Sequence, residues 1–297
     1  RPCPFMASKQ TGDEAAAGRR WTAILLAPSS LWFVGLLVLP LLVVLVFSFG
    51  ERHPAGGYQA GFTFANYLNL PARATAFKNT LLLAPIGTFI CLIAAYPVAY
   101  FLAVKVSGRF KMFLLILVIV PFWSSFLLRT YAWIFVLGAR GLPSLFADLG
   151  IDGVRLINTP FAVLTGIVYG YLPLMIFPIY VSLEKLDKRL LEASDDLYAS
   201  PWRTFLQVTL PLSAPGMITG CMLVFILLMG EYLIPQLLGG GKVFFIGNAL
   251  VDLFLQSRNW PFGSAVAVSL VIVMLVVIGA SLQLTRRWTG QRDVSMM

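Results

Sequence analysis

The chain has few charged residues for its length. Asp, Glu, Lys and Arg make up 12% of its 297 residues, whereas an average soluble domain carries about 25%. Hydrophobic residues make up 59%, and they fall in blocks too long for strands. A membrane β-barrel is also excluded, because its segments of about ten residues with alternating hydrophobicity are missing. Only helices then satisfy every backbone group in lipid, so the sequence predicts an all-α, polytopic membrane bundle.

The residues that most enzymes need are scarce as well. His53 is the only histidine, and the three cysteines suggest neither a disulfide framework nor a metal site. The Gly-Lys pair at Gly241-Lys242 lacks the earlier glycine and the following Ser or Thr of a nucleotide-binding loop. The adjacent Asp195 and Asp196 would diverge on a helix, so they do not form a two-carboxylate site. We therefore expect no catalytic residue, no metal and no cofactor in this chain.

Six apolar blocks are long enough to cross a membrane, which takes about 20 helical residues. They cover residues 21–49, 79–104, 112–138, 161–183, 214–238 and 262–284. The first block is longer than the apolar part of a signal peptide, and no small-residue cleavage site follows it, so we expect a retained anchor. Met6 is the expected initiator, because residues 1–5 form an unusual start.

The positive charges indicate the orientation of these spans. Of the 22 Lys and Arg, 14 lie in residues 1–20, 105–111, 184–213 and 285–297, which alternate with the spans on one side. The positive-inside rule places that side in the cytoplasm. The prediction is thus N-in and C-in, with cytoplasmic tails at 1–20 and 285–297, a periplasmic segment at 50–78 and a core domain at 79–284. The net charge of +9 reflects this topology, and the basic residues form no stripe of the kind that binds nucleic acid.

The cytoplasmic loop at 184–213 carries the clearest pattern. Ser200-Pro201 is typical of an N-cap followed by proline at the first helical position, so a second short helix should begin there and end at Leu210-Pro211. A first helix precedes it, with an apolar stripe at helical spacing formed by Leu186, Leu190, Ala193, Leu197 and Pro201. The stripe fits either a partner protein or lipid headgroups. Nearby acidic residues, including Glu192, argue against an anionic membrane surface.

The loop resembles the EAA motif of ABC importer permeases, the type I membrane domain of binding-protein-dependent transport. Glu192-Ala193-Ser194, the Ser200-Pro201 start and the closing Leu210-Pro211 carry the resemblance. Ser194 stands for the family's second Ala, and Tyr198 stands for its Gly, which leaves the backbone at this turn open because a bulky residue disfavours φ > 0. The resemblance implies a helix that docks in a groove of an ATPase subunit. Its coupling residues would be Leu186, Leu190, Glu192, Ala193, Leu197, Tyr198, Ser200, Pro201, Leu210 and Pro211.

Three further stretches resemble spermidine/putrescine permeases: PFWSSFLLRTYAW (121–133), GEYLIPQLLGG (230–240) and NWPFGSAVA (259–267). This resemblance implies a permease in a bacterial inner membrane that moves polyamines into the cytoplasm. It also implies a second homologous permease, two ATPase subunits that bind ATP and Mg²⁺, a periplasmic solute-binding protein and surrounding lipid. Related permeases for opines, thiamine or iron are alternatives. A stand-alone secondary transporter or a channel is a more distant one.

Charges within the apolar blocks suggest where a solute would pass, because a charge in a membrane span is costly. Glu231 could bind a cationic solute on its path. Alternatively, its carboxylate could be paired with Arg129 or hydrated at the outer surface. Arg129 lies near the predicted outer end of its span, where it would reach the headgroups or the path. Aromatic rings could hold ammonium groups by cation–π attraction or could simply pack against their neighbours. Asp252, in a predicted periplasmic segment, is a weaker acidic candidate than Glu231. The remaining candidates for the path are Trp123, Tyr131, Tyr171 and Asp252.

Overall fold

The computed structural model describes residues 4–151 and 153–294. Side chains at 4–21, 23, 24, 188, 195 and 284–294 are outside this description, as are the outermost residues of the two predicted tails, 1–3 and 295–297. The described part of the chain is helical throughout, apart from its connections and one small hairpin. The prediction of an all-α membrane fold is confirmed.

The α-helices of the described residues follow one another in this order: α1 (Pro4–Ser48), α2 (Ala65–Leu68), α3 (Ala74–Tyr100), α4 (Gly108–Trp123), α5 (Phe126–Leu137), α6 (Leu142–Asp148), α7 (Pro160–Glu184), α8 (Lys188–Asp196), α9 (Pro201–Thr204), α10 (Leu210–Met229), α11 (Leu233–Leu238), α12 (Ile246–Val251) and α13 (Trp260–Val294). A 3₁₀ turn covers Leu70–Arg73, and π-helical turns cover Phe101–Lys105, Phe205–Thr209 and Asp252–Gln256. Strands β1 (Glu51–Arg52) and β2 (Tyr58–Gln59) pair antiparallel, with Glu51 opposite Gln59.

Five helical stretches of the described chain are long and apolar enough to cross a membrane, or six if one bent pair is a single span. The five stretches are Leu25–Ser48, Leu70–Lys105, Pro160–Glu184, Pro201–Met229 and Trp260–Gln283. The bent pair is Gly108–Trp123 with Phe126–Asp148, at an angle of 89°. Each of the other five predicted blocks thus overlaps one of the single helical stretches, whereas the block at 112–138 covers the bent pair.

The break in that block lies at Ser124 and Ser125. The backbone N–H and the hydroxyl of Ser124 both donate to the carbonyl of Pro121, which ends α4, and the backbone of Ser124 then turns extended. The last carbonyl groups of a helix have no partner within it, and Ser124 satisfies one of them. The predicted span over 112–138 therefore consists of two helices that meet after Pro121 at an angle of 89°.

The helix that corresponds to the predicted block at 214–238 begins and ends earlier in the sequence, at Pro201 and Met229. Leu210-Pro211 does not end the short helix, since the helix runs continuously from Pro201 to Met229. The π-helical turn Phe205–Thr209 ends two residues before Pro211, and such local π adjustments accommodate the missing N–H of a proline within a helix. The span then ends at Gly230, and residues 233–238 form the separate helix α11.

Helices α3, α7 and α10 pack together as the core of the described chain. Small residues allow close approach: a Cβ on Gly216 would lie 2.4 Å from the Pro178 carbonyl oxygen, and one on Gly220 would lie 2.8 Å from Met175 Sδ. Helix packing in lipid depends on such small residues, since burying apolar surface gives no gain there. Helix α1 packs against α13 instead, and its side chains from Leu25 to Leu42 are exposed on the isolated chain.

Candidate functional site

The predicted coupling segment is a hairpin of α8 and α9 with a tight turn between them. The backbone N–H of Ala199 donates to the carbonyl of Ser194, 3.1 Å away, across the end of α8. This bond and a left-handed residue between its ends form a Schellman cap, whose left-handed position is usually glycine. Here the position is Tyr198, with φ of 54°. Tyr198 thus adopts the left-handed backbone conformation that glycine usually occupies at this position. For a residue with a Cβ, this conformation costs roughly 1–2 kcal/mol.

The second departure from the family motif also has a structural role. The Ser194 hydroxyl lies 2.7 Å from the Thr204 hydroxyl, so one hydrogen bond links α8 to α9. Ser194 is 9% exposed, and an alanine there would leave Thr204 without this partner. At the start of α9, the Ser200 hydroxyl accepts the N–H of Arg203 at 3.4 Å, with Pro201 at the first helical position. The sequence analysis missed Thr204, whose only signal is its helical spacing from Ser200.

Six of the predicted coupling residues separate into two groups. Leu197 and Tyr198 lie at the tip of the hairpin, 82% and 97% exposed, and Glu192 and Ala193 are exposed on α8. Leu186 and Leu190 instead line a cleft of about 770 Å³ between α8 and the adjoining ends of α7 and α10. The apolar stripe is therefore divided between the exposed tip and this open cleft, in which Leu190 is still 46% exposed.

Leu210 and Pro211 lie farther from the tip, within the continuous helix from Pro201 to Met229. Leu210 packs partly buried against the core, and three residues later the hydroxyl of the fully buried Ser213 lies 2.9 Å from the Tyr96 hydroxyl. Leu210 and Pro211 are thus both partly buried, at the point where the helix that begins in the hairpin enters the core.

Glu231 occupies the break between α10 and α11 and is 7% exposed. Its Oε1 accepts the backbone N–H of Leu233 at 2.8 Å and of Ile234 at 3.3 Å, so the carboxylate caps the start of α11. Its Oε2 accepts the hydroxyl of Tyr171, from α7. The carboxylate is thus held by three donors, and neither Arg129 nor open water is needed to explain its burial. Helix α10 has ended before Glu231, and α11 begins as a separate helix after it.

A buried amide supports the same break, and the sequence analysis did not identify it. Asn248, which is 4% exposed, donates to the Tyr232 carbonyl at 2.8 Å and to Gln236 Oε1 at 3.1 Å. Its neighbour Gly247 lies against the backbone of Glu231, where an added Cβ would be 2.5 Å from the carbonyl oxygen. The only sequence signal was a Gly-Asn pair inside an apolar run. Helix α12 is therefore fixed to the backbone around Glu231.

Arg129 lies on the other broken helix, one turn after the bend. Its guanidinium carbon is 5.3 Å from the Phe122 ring centre and 5.6 Å from that of Phe126, on opposite sides of the bend. Its Nε is buried and has no acceptor among the described residues. Arg129 therefore makes a cation–π contact on each side of the bend, and each is worth about 0.5–2 kcal/mol.

The other predicted path residues lie in different places and make different contacts. Tyr171 is 9% exposed and bound to Glu231, so it belongs to that site. Trp123 and Tyr131 are 82% and 44% exposed on the isolated chain. Asp252 forms an ion pair with Arg73 at 2.6 Å, with both side chains only partly exposed. This pair joins the 3₁₀ turn before α3 to the π turn after α12, which gives Asp252 a bracing role.

Comparison with known proteins agrees with this architecture. The model of the family "Binding-protein-dependent transport system inner membrane component" matches residues 95–292. The chain is 42% identical over 252 residues to the spermidine/putrescine transport system permease protein PotB of Haemophilus influenzae, covering 83% of this chain and 88% of that protein. It is also 42% identical over 248 residues to PotB of Escherichia coli, covering 82% and 90%.

A solved structure shares the fold at low sequence identity. It is a bacterial alginate ABC transporter in complex with a periplasmic protein that carries an alginate pentasaccharide. Its matching chain has a TM-score of 0.74 and is 17% identical to this one. The match covers 93% of this chain and 97% of that chain. The predicted family and the multi-pass inner-membrane location are confirmed. The chain belongs to the family of binding-protein-dependent transport system inner membrane components, the permease subunits of ABC importers.

Proposed function

We propose that the chain is a permease subunit through which a polyamine, spermidine or putrescine, passes from the periplasm to the cytoplasm. In this proposal the six predicted spans run N-in and C-in. A second, similar permease completes the path, a periplasmic binding protein delivers the solute, and two ATPase subunits bind ATP and Mg²⁺. The names of the 42% identical relatives support the solute class, and the complex of the alginate transporter with its periplasmic protein supports the kind of partner.

The observation that carries the proposal is the continuity between the exposed hairpin and a membrane span. Helix α9 passes without interruption through the π turn into α10, so one helical stretch connects Pro201 to Met229. The stretch begins beside the exposed tip at Tyr198 and ends two residues before the buried Glu231. A movement imposed on the hairpin by an ATPase subunit would therefore reach the break that holds the carboxylate.

Glu231 is the acid that we assign to the solute path. Its three donors hold the carboxylate inside the chain in this structure. A polyamine ammonium would compete with the Tyr171 hydroxyl for the same oxygen, so access requires α7 and the break to separate. Trp123, Tyr131 and Arg129 would belong to the path only if the second permease encloses them, since on the isolated chain the two aromatic rings are exposed.

The proposal is tested by uptake into vesicles. The complex is purified through a tag on this chain, reconstituted with its binding protein, and given labelled spermidine outside and Mg-ATP on the ATPase side. We expect uptake that needs both ATP and the binding protein and that unlabelled putrescine reduces. Uptake without ATP would favour a secondary transporter, and ATP-dependent uptake of thiamine or an opine with none of spermidine would favour those related systems.

A further inference from the structure

The charge of Arg129, at the bend between α4 and α5, is not neutralised within the described chain. The side chain is partly buried, its Nε is fully buried, and none of its nitrogen atoms donates to a described residue. The ring contacts with Phe122 and Phe126 attract the charge but offer no hydrogen-bond acceptor. A charge in a membrane span is costly unless it is paired. The missing partner is therefore an anion with oxygen acceptors that comes from outside the described chain.

Two other arginines show how this chain normally satisfies a guanidinium group. Arg52 donates to the carbonyl of Ser257 at 3.0 Å, and Arg73 pairs with the carboxylate of Asp252 at 2.6 Å. Arg129 has neither kind of acceptor among the described residues. Its five N–H groups are arranged as a planar fork, which matches the oxygen atoms of a carboxylate or a phosphate.

A cavity of about 180 Å³ lies beside Arg129. Most of its lining is apolar and comes from α3, α4 and α7, including Val98, Leu117, Val118, Pro121, Leu172 and Ile176. An apolar cavity of this size takes up hydrocarbon more readily than water. The cavity therefore fits part of an acyl chain, directly next to a guanidinium group that needs an anion.

The cavity extends from the level of Arg129 toward the middle of the membrane. On α7 its lining runs from Tyr169 to Ile176, about 23 and 12 Å from the end of the helix at 1.5 Å per residue. On α4 it runs from Leu117 to Pro121, about 14 and 20 Å from the start of the helix. Arg129 stays near the level of the end of α4, because α5 turns away at 89°. In the proposed orientation, an outer-leaflet phospholipid has the same arrangement, with its phosphate outside and its acyl chains toward the centre.

We infer that Arg129 and this cavity form a binding site for one phospholipid of the outer leaflet. The guanidinium donates two parallel hydrogen bonds to the phosphate, and one acyl chain lies in the cavity. Exposed Trp123, Leu128 and Tyr131 surround the bend, as at a membrane–water interface. A polyamine is not the missing partner, because two cations repel each other. The inference goes beyond the proposed function and takes Arg129 out of the solute path.

Five variants test the charge and the cavity separately. R129Q removes the charge, and R129K keeps it without the planar fork. R140Q is the matched control, because Arg140 is exposed in the loop after α5. V118F narrows the cavity, and V120F places the same ring at an exposed position of α4 that does not line it.

The complete complex is purified through a tag on this chain, delipidated in detergent and titrated with palmitoyl-oleoyl-phosphatidylglycerol. Native mass spectrometry counts the lipids on this chain, and a melting curve checks the folding of each variant. We expect one tightly bound lipid in wild type and at least about 10-fold weaker binding in R129Q, because charge-assisted hydrogen bonds are lost. V118F should also bind more weakly, and R129K should lie between R129Q and wild type. R140Q and V120F should stay within about 2-fold of wild type.

Inorganic phosphate in excess should not displace the lipid, because it cannot fill the cavity. Displacement by phosphate alone would overturn the inference, as would wild-type lipid affinity in either R129Q or V118F. If R129Q separates the two permeases and leaves lipid affinity unchanged, the partner of Arg129 is a group on the second permease and the lipid site is wrong. None of these outcomes depends on which solute is transported, so the proposed function is tested independently.

Discussion

The hydroxyl of Tyr171 donates to the carboxylate of Glu231, so a residue in the middle of α7 holds the acid at the break after α10. Both side chains are less than 10% exposed. A hydrogen bond to a charged group is worth about 1.5–3 kcal/mol, and more is lost when one partner stays buried alone. The contact therefore links two core helices through one polar pair.

The pair predicts non-additive losses of stability. Y171F and E231Q should each lower the free energy of unfolding by about 1–3 kcal/mol, and the double variant should lose clearly less than the sum, because either single change already breaks the contact. E231Q combined with R129Q should be additive to within about 0.5 kcal/mol, since those residues share no partner. Denaturant unfolding in detergent measures all five variants. Additivity for Tyr171 with Glu231, or coupling between Arg129 and Glu231, would contradict the geometry.

E231Q should also reduce uptake of a cationic solute. The amide keeps the shape and can still accept from the N–H of Leu233, but it lacks the charge that attracts ammonium groups. Initial uptake of labelled spermidine into reconstituted vesicles should fall about 10-fold or more, with ATPase binding and the binding protein's affinity unchanged. Y171F is the comparison, because it loosens the same contact without removing charge. Normal uptake in E231Q with reduced stability would leave Glu231 a structural residue.

Reversing the charge of Glu192 should uncouple the transporter. Glu192 is exposed on α8, so E192K should leave folding and membrane insertion intact while it disturbs contact with a partner. We expect solute-dependent ATP hydrolysis and uptake to fall together by about 10-fold or more, as for a charge at a docking surface. D148K makes the same charge change at the end of α6, outside the hairpin, and should transport normally. Full transport in E192K would contradict the assignment of α8 to the interface.

The orientation is tested with introduced cysteines. Ala193, exposed on α8, and Ala60, exposed just after β2, lie on opposite sides of the predicted membrane. A193C should react only with thiol reagents that enter the cytoplasm, and A60C should react from outside intact cells. The fully buried Ser213 would be a poor position, because its hydroxyl contacts Tyr96 inside the core. The unmodified chain provides the background from its own cysteines. The reverse labelling would overturn the N-in, C-in prediction.

The sequence predicted the long helices well because their signal is additive. Twenty apolar residues in a row indicate a span whatever their neighbours are, and the blocks at 161–183 and 262–284 agree with helices at Pro160–Glu184 and Trp260–Gln283. Prolines were harder to interpret. Pro121 precedes a bend of 89°, whereas Pro211 lies within a continuous helix. The difference depends on nearby hydrogen bonds, such as those of Ser124, and on π turns that depend on packing.

The candidate site was predicted in parts. Glu231 stood out because a lone acid in an apolar block is costly, but its partner Tyr171 is 60 residues away and its capping of α11 depends on where α10 ends. Ser194 was identified only as a departure from a motif. Its bond to Thr204 requires the turn that Tyr198 makes. Local patterns therefore located the residues, and tertiary geometry assigned their contacts.

The uninterrupted helix from Pro201 to Met229 makes the chain a lever. At 29 residues it is roughly 43 Å long, so a tilt of about 5° around Pro201 would carry its far end by about 4 Å. A displacement of that size relative to α7 exceeds the length of an ordinary hydrogen bond, such as the one that joins Tyr171 to Glu231. A small rotation of the hairpin would thus produce a larger movement at the far end of the helix. That movement would be sufficient to separate Glu231 from Tyr171.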